Sequence, residues 1–160
     1  MNPAGAARLI ALLLPLALLG GALGSQYIGG LHPCEMCYWQ RWPHAFAVVA
    51  AALAFTATAE SSRSRSLTLL AALAITISGI IGVYHAGVEA KIFEGFTTCT
   101  KLVTGGSTSD MLKQITQAPL VRCDQVQWTF LGISMAGWNA ILSLGGAAVI
   151  LFLTVKGSRR

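Results

Sequence analysis

Charge is scarce in this sequence. Aspartate and glutamate together number six, and charged residues of both signs make up 11% of the chain, less than half of the roughly one-quarter usual for a soluble domain. So little charge leaves too little polar surface for an ordinary water-soluble fold, and it points to a membrane protein. The net charge is a formal +5, but the basic residues are scattered and no aromatic-basic patch groups them, so nucleic acid is not an expected partner. Long polar stretches are missing too, with one exception at 89–129. Cysteine is limited to four residues, Cys34, Cys37, Cys99 and Cys123. Four fit two pairs, and disulfide chemistry requires an oxidising compartment.

What the sequence has in abundance is apolar: 54% of 160 residues, a length suited to one domain spanning 1–160. Four runs are predicted as transmembrane helices, at about 9–28, 42–59, 67–88 and 130–155. The first, preceded by Arg8, competes with a signal peptide, because Gly21-Ala22-Leu23-Gly24-Ser25 imitates a cleavage site. Extended through Ile28, it reaches about 20 residues, enough at ~1.5 Å each to cross a bilayer core, and three more such runs follow it. Pro15 is a candidate kink. Gly20 and Gly24 form a G-x-x-x-G pair, and Ser78, Gly82 and Ala86 form a small-residue stripe; both suit close helix contact. The second span is expected to start near Trp42, with Pro43 in its first turn.

The expected fold is therefore an all-α, four-transmembrane-helix bundle with a short loop at 29–41 and a long one at 89–129. In the long loop, Ser109 or Asp110 is placed to cap a short amphipathic helix with Met111, Leu112 and Ile115 on one face, lying on the membrane surface. With four spans, Arg8, Arg63, Arg65, Lys156, Arg159 and Arg160 share one side. They sit in short tails and a tight loop, so the positive-inside rule puts both termini in the cytoplasm and all four cysteines on the opposite, oxidising side. Trp39, Trp42 and Trp128 fall at the outer boundaries, as an aromatic belt would.

The stretch Cys34-Glu35-Met36-Cys37-Tyr38-Trp39-Gln40-Arg41 carries the chemistry. C-x-x-C spacing favours a reducible disulfide, and a nearby guanidinium favours the thiolate. Two aromatics precede Arg41, where a flat electron acceptor could stack. A purely structural disulfide and a zinc site are the alternatives; the first closes a loop too short to stabilise much, and the second prefers two closely spaced pairs. Cys99 and Cys123, flanking a Gly- and Ser-rich loop, either staple it or exchange disulfides with Cys34 and Cys37. Arg41 either snorkels to the interface or stabilises the Cys37 thiolate or a reduced acceptor. His85 and Glu89 share a helix face; His85 either packs or assists proton uptake near the acceptor. His32 and His44 carry no special signal.

These residues resemble the DsbB family, the bacterial disulfide bond formation proteins B. The likeness is carried by Cys34 to Arg41, by Tyr84-His85, by Cys99 and Cys123, and by Cys123-Asp-Gln-Val-Gln-Trp-Thr-Phe-Leu-Gly-Ile-Ser-Met. Vitamin K epoxide reductase-like proteins are similar bundles, but their C-x-x-C follows the loop cysteines. The resemblance implies a bacterial inner-membrane, quinone-dependent oxidase (with ubiquinone or menaquinone as acceptor) that recharges a periplasmic, thioredoxin-like DsbA-type partner. It implies that the partner attacks Cys99 of a Cys99–Cys123 disulfide, that released Cys123 attacks Cys34, and that Cys37 becomes the thiolate facing the quinone. Arg41 and His85 match positions beside the quinone, and no metal is expected. Glu35, Trp39 and Pro43 depart from the family pattern and alter the thiolate's surroundings.

Overall fold

The computed structural model describes residues 2–95, 107, 109 and 121–157. Cys99 and the expected short helix at Met111, Leu112 and Ile115 lie outside the described residues. Within them four helices run in sequence: α1 (Pro3–Tyr27), α2 (Glu35–Ala54), α3 (Ser62–Glu89) and α4 (Met135–Gly157). Of these, α1, α3 and α4 are long and apolar enough to cross a membrane; α2, with Glu35 and Arg41 in its first two turns, falls short of that standard.

Local chemistry sets the helix starts. The Asn2 side chain accepts the Gly5 N–H, and Pro3 occupies the first position of α1, where its missing N–H removes nothing. Ser61 caps α3 by accepting the Ser64 N–H at 3.2 Å. The start of α2 differs from the sequence expectation. It begins at Glu35, not near Trp42, with extended Cys34 as its N-cap. Glu35 in the first turn suits the positive end of the helix dipole. Pro43 is interior: it omits one hydrogen bond, to the Trp39 carbonyl, and the helix continues through it.

The start of α4 differs as well. Phe130 does not open a helix; Thr129–Phe130 (β1) pairs antiparallel with Ile133–Ser134 (β2) across Leu131 and Gly132, both at positive φ. Two such residues make the tight turn whose twist fits a two-stranded ribbon.

Side-chain distribution places bulk outward and small or polar groups inward. Ala47, Ala50, Ala51, Ala71, Ala72 and Ala74 are buried, with Ser78, Ser143, His44 and His85, while Leu13, Val49, Leu73, Ile80, Ile141 and Phe152 are exposed. That is the pattern of helices held together by close approach in an apolar solvent. The stripe on α3 does this: a Cβ on Gly82 would lie 3.1 Å from the Ala136 carbonyl oxygen and the Ala140 nitrogen. Gly20 and Gly24 do not, since a Cβ on either meets nothing within 4 Å. α3 packs mainly against α2 and α4, and α1 lies across α2 and α4.

The two ends of the bundle differ. One gathers Asn2, Arg8, Ala57 and Glu60, through the Arg8 hydrogen bond to the Ala57 carbonyl and the Asn2–Glu60 contact. The other gathers Cys34, Cys37, Val88 and Cys123.

Candidate active site

Because α2 begins at Glu35, Cys37, Gln40, Arg41 and His44 fall at helical spacing on one face. That face forms one wall of a cavity of about 610 Å³. The other walls come from Leu18 and Ala22 of α1, His85 of α3, Trp128 before the ribbon, and Trp138 and Asn139 of α4. The lining is mostly apolar, and a few polar groups converge on it, as in small-molecule sites of this volume.

Cys34 stands at the meeting point of three partners. Its sulfur is 3.1 Å from Cys37 Sγ and 3.6 Å from His85 Nε2, and it hydrogen-bonds Cys123. Cys34 and Cys123 are both buried in a small cluster with Met36 and Val88. The hydrogen bond with Cys123, then that with Cys37, then burial push the Cys34 thiol well above the usual thiol range. The C-x-x-C pair and one loop cysteine are thus brought together.

Cys123 is fixed by its neighbours in the chain. Asp124 accepts from Lys91 Nζ at 2.6 Å and from Arg122 Nη2 at 2.8 Å. These bonds tether the segment to the end of α3, and Gln127 reinforces it by donating to the His32 carbonyl at 2.8 Å. The Arg122 guanidinium, then the Lys91 ammonium, hold the Asp124 carboxyl far below the usual carboxylate range.

Arg41 is half-buried. It donates to Gln26 Oε1 and to the Ala22 carbonyl oxygen on α1, and its guanidinium lies 5.3 Å from the Tyr38 ring centre. It holds a full charge at the cavity wall while tying α1 to α2. His85, nearly enclosed, also lies 3.9 Å from Glu89 Oε1.

His44, dismissed from sequence, is buried and lines the cavity. Its Nε2 meets Asn139 Oδ1 and Ser78 Oγ, each at 2.9 Å. Gln40, Asn139, Ser78 and Ser143 complete a buried polar network that sequence inspection also missed. The 37, 40, 41, 44 spacing would have exposed the α2 members once the helix start was known. A metal has a compact donor set in Cys34, Cys37 and His85, whose ligand atoms lie within 4.8 Å of one another; the hydrogen-bond directions described below oppose that use.

Known proteins resemble this chain over most of its length. The family model described as "Disulfide bond formation protein DsbB" matches residues 5–153. A disulfide bond formation protein B from Azoarcus sp. (strain BH72) is 30% identical over 151 residues, covering 89% of this chain and 87% of the relative. Its counterpart from Polaromonas sp. is 31% identical, with 90% and 86% covered, and that from Methylococcus capsulatus is 34% identical, with 84% of each. No solved structure matches the chain.

Proposed function

The chain belongs to the DsbB family of disulfide bond formation proteins, and from that premise we propose that it reoxidises a periplasmic, DsbA-type dithiol protein and passes the electron pair to a membrane quinone. The observation that carries this is the position of Cys34 and Cys37. Cys34 touches Cys123 on one side and Cys37 on the other, and Cys37 lies on the cavity wall with Arg41 and His85.

In this scheme the partner's thiolate attacks Cys99 of a Cys99–Cys123 disulfide, and Cys123 leaves as a thiolate. Cys123 attacks Cys34, a new sulfur–sulfur bond forms, and the bond to Cys37 breaks with its electron pair on Cys37. Arg41 stabilises that charge and, with the apolar walls, orients a flat ring against it. The backbone N–H groups of the first turn of α2 add a favourable field. A quinone, when bound, supplies the two-electron sink that an ordinary dithiol lacks: a DsbA-type partner sits near −120 mV, and each ~30 mV is worth about 1.4 kcal/mol for two electrons. The residues present suit such a head group, since Leu18, Ala22, Trp128 and Trp138 offer flat apolar contact and Arg41 offers a fixed cation.

The same proposal sets all four helices across a bacterial inner membrane, both termini in the cytoplasm and the cysteine end in the periplasm. The outward Leu, Ile, Val and Phe surface supports it, as do Arg8, Arg63 and Arg65 near the opposite end. The deciding experiment is anaerobic: purified protein, a reduced DsbA-type dithiol and a short-chain ubiquinone or menaquinone are mixed, and quinone absorbance is followed. Partner-dependent loss of the quinone band is expected. An oxidised quinone that persists beside reduced partner would remove the proposal.

A further inference from the structure

Between the cavity and the core runs a line of polar side chains that the exchange of sulfurs does not itself employ. Asn139 on α4, Gln40 on α2 and His85 on α3 are joined end to end, and each joint has a direction. Asn139 Nδ2 lies 3.2 Å from the Ser78 carbonyl oxygen, which can only accept, so this atom is the donor; it is also 2.8 Å from Gln40 Oε1. Gln40 Nε2 lies 3.1 Å from the Met36 carbonyl oxygen and is likewise a donor; it is 2.7 Å from His85 Nδ1. Nδ1 of His85 therefore accepts. A neutral imidazole that accepts at one nitrogen carries its proton on the other. That other nitrogen, Nε2, lies 3.6 Å from Cys34 Sγ, within reach of a hydrogen bond to sulfur, and 3.9 Å from Glu89 Oε1, beyond the reach of one to oxygen.

We infer that Gln40 and Asn139 are positioning residues for disulfide exchange, holding His85 in the tautomer whose Nε2–H is aimed at the Cys34 sulfur. This rests on the relay proposed above, in which Cys34 is bonded to Cys37 at one stage and to Cys123 at the next. To reset, the partner's second thiolate first attacks its own sulfur bonded to Cys99, closing the partner's disulfide and freeing the Cys99 thiolate. That thiolate attacks Cys123: the Cys99–Cys123 bond forms, the Cys34–Cys123 bond breaks, and the electron pair leaves on Cys34. That sulfur is 3% exposed, so little water reaches it to solvate the charge. The His85 N–H takes that place, and hydrogen bonds to charged atoms are the strong ones. With the opposite tautomer a lone pair would face the departing thiolate and oppose it. The same direction leaves Nε2 without a lone pair for a metal shared with Cys34 and Cys37.

The test uses full-length protein in nanodiscs with ¹⁵N-labelled histidine. In reduced wild type, the His85 resonances are expected to report protonation at Nε2. Gln40→Glu replaces the donor with an acceptor and should move the proton to Nδ1; Asn139→Asp, which removes the donor to Gln40, should shift the same balance. In a Cys37→Ser, Cys99→Ser background oxidised with diamide to the Cys34–Cys123 disulfide, Gln40→Glu should slow about tenfold the release of Cys34 by an added dithiol that attacks Cys123, the effect of losing one hydrogen bond to a charged atom. Wild-type His85 protonated at Nδ1 overturns the inference without recourse to any variant. So does Gln40→Glu that moves the proton but leaves the release rate unchanged. Neither measurement involves quinone or a protein partner, so a failure of quinone reduction leaves the tautomer result standing by itself.

Discussion

The Arg41 guanidinium donates to the carbonyl oxygen of Ala22 across 3.1 Å, joining α2 to α1 beside the cavity. Its second tie, to Gln26, uses the other arm of the fork. A lysine ammonium cannot hold both and still present charge to a ring in the cavity. Arg41→Ala is therefore expected to raise the apparent KM for quinone about tenfold, equivalent to ~1.4 kcal/mol, with Arg41→Lys in between. An unaltered KM in steady-state assays would reduce Arg41 to a tie between helices.

Cys37→Ser, in which Cys34 is a free thiol, is expected to accumulate a Cys34–Cys123 disulfide by exchange: Cys34 attacks Cys123 of the Cys99–Cys123 bond and Cys99 leaves as the thiolate. Cys34→Ser, Cys99→Ser and Cys123→Ser should each stop steady-state partner oxidation. Peptide mapping by mass spectrometry after thiol blocking reads the trapped bond, and turnover in any of these four variants would contradict the relay.

Asp124 makes the placement of Cys123 acid-sensitive in a defined sense. Its carboxyl is depressed by Arg122 and Lys91, so the ion pairs contribute fully above the unfolded carboxylate value of about 3.9 and are lost only as pH falls through the lower folded value. Both cations are more than half exposed, so solvent screens the pairs and their contribution is modest. Hydrogen exchange in segment 121–128 should be independent of this group from pH 8 to about 5, beyond the intrinsic rate, and should rise in stronger acid. Asp124→Asn should show the faster exchange already at pH 7. Identical exchange in the two proteins would mean that the pairs do not hold the segment.

Glycines should divide by what surrounds them. Gly82→Ala puts a methyl 3.1 Å from backbone atoms of α4 and is expected to lower stability by about 1–3 kcal/mol, as overpacking does. Gly20→Ala enters open space and should be neutral or slightly stabilising through helix propensity. Thermal unfolding in detergent separates them, and equal Tm values would argue against close packing of α3 on α4.

The helices were legible in the sequence because long apolar runs have few other uses. Their starts were not. Residues 35–41 carry Glu, Gln and Arg and precede Pro43, so they imitate a loop; helical conformation there lets Gln40 reach His85 and Asn139, contacts that no local pattern encodes. The ribbon at 129–134 was hidden for a related reason: Leu131-Gly132 is not an Asn-Gly turn signal, and Leu131 takes up positive φ at an exposed site. At the site, C-x-x-C spacing singled out Cys34 and Cys37, and Arg41 was considered for its place four residues beyond Cys37. His44, Ser78, Asn139 and Ser143 are isolated polar letters in apolar runs, and they acquire meaning only where three helices cross. Cys99 lies outside the described residues, so its part in the relay stands on the family likeness.

The seclusion of Cys34 and Cys123, 3% and 0% exposed, bears on what the protein must avoid as well as what it does. An open sulfur would let small bystander thiols drain a disulfide oxidant in a short circuit. In the proposed relay, the burial of Cys34 and Cys123 slows attack by such thiols relative to a sulfur carried in on the same polypeptide, which favours exchange with the partner.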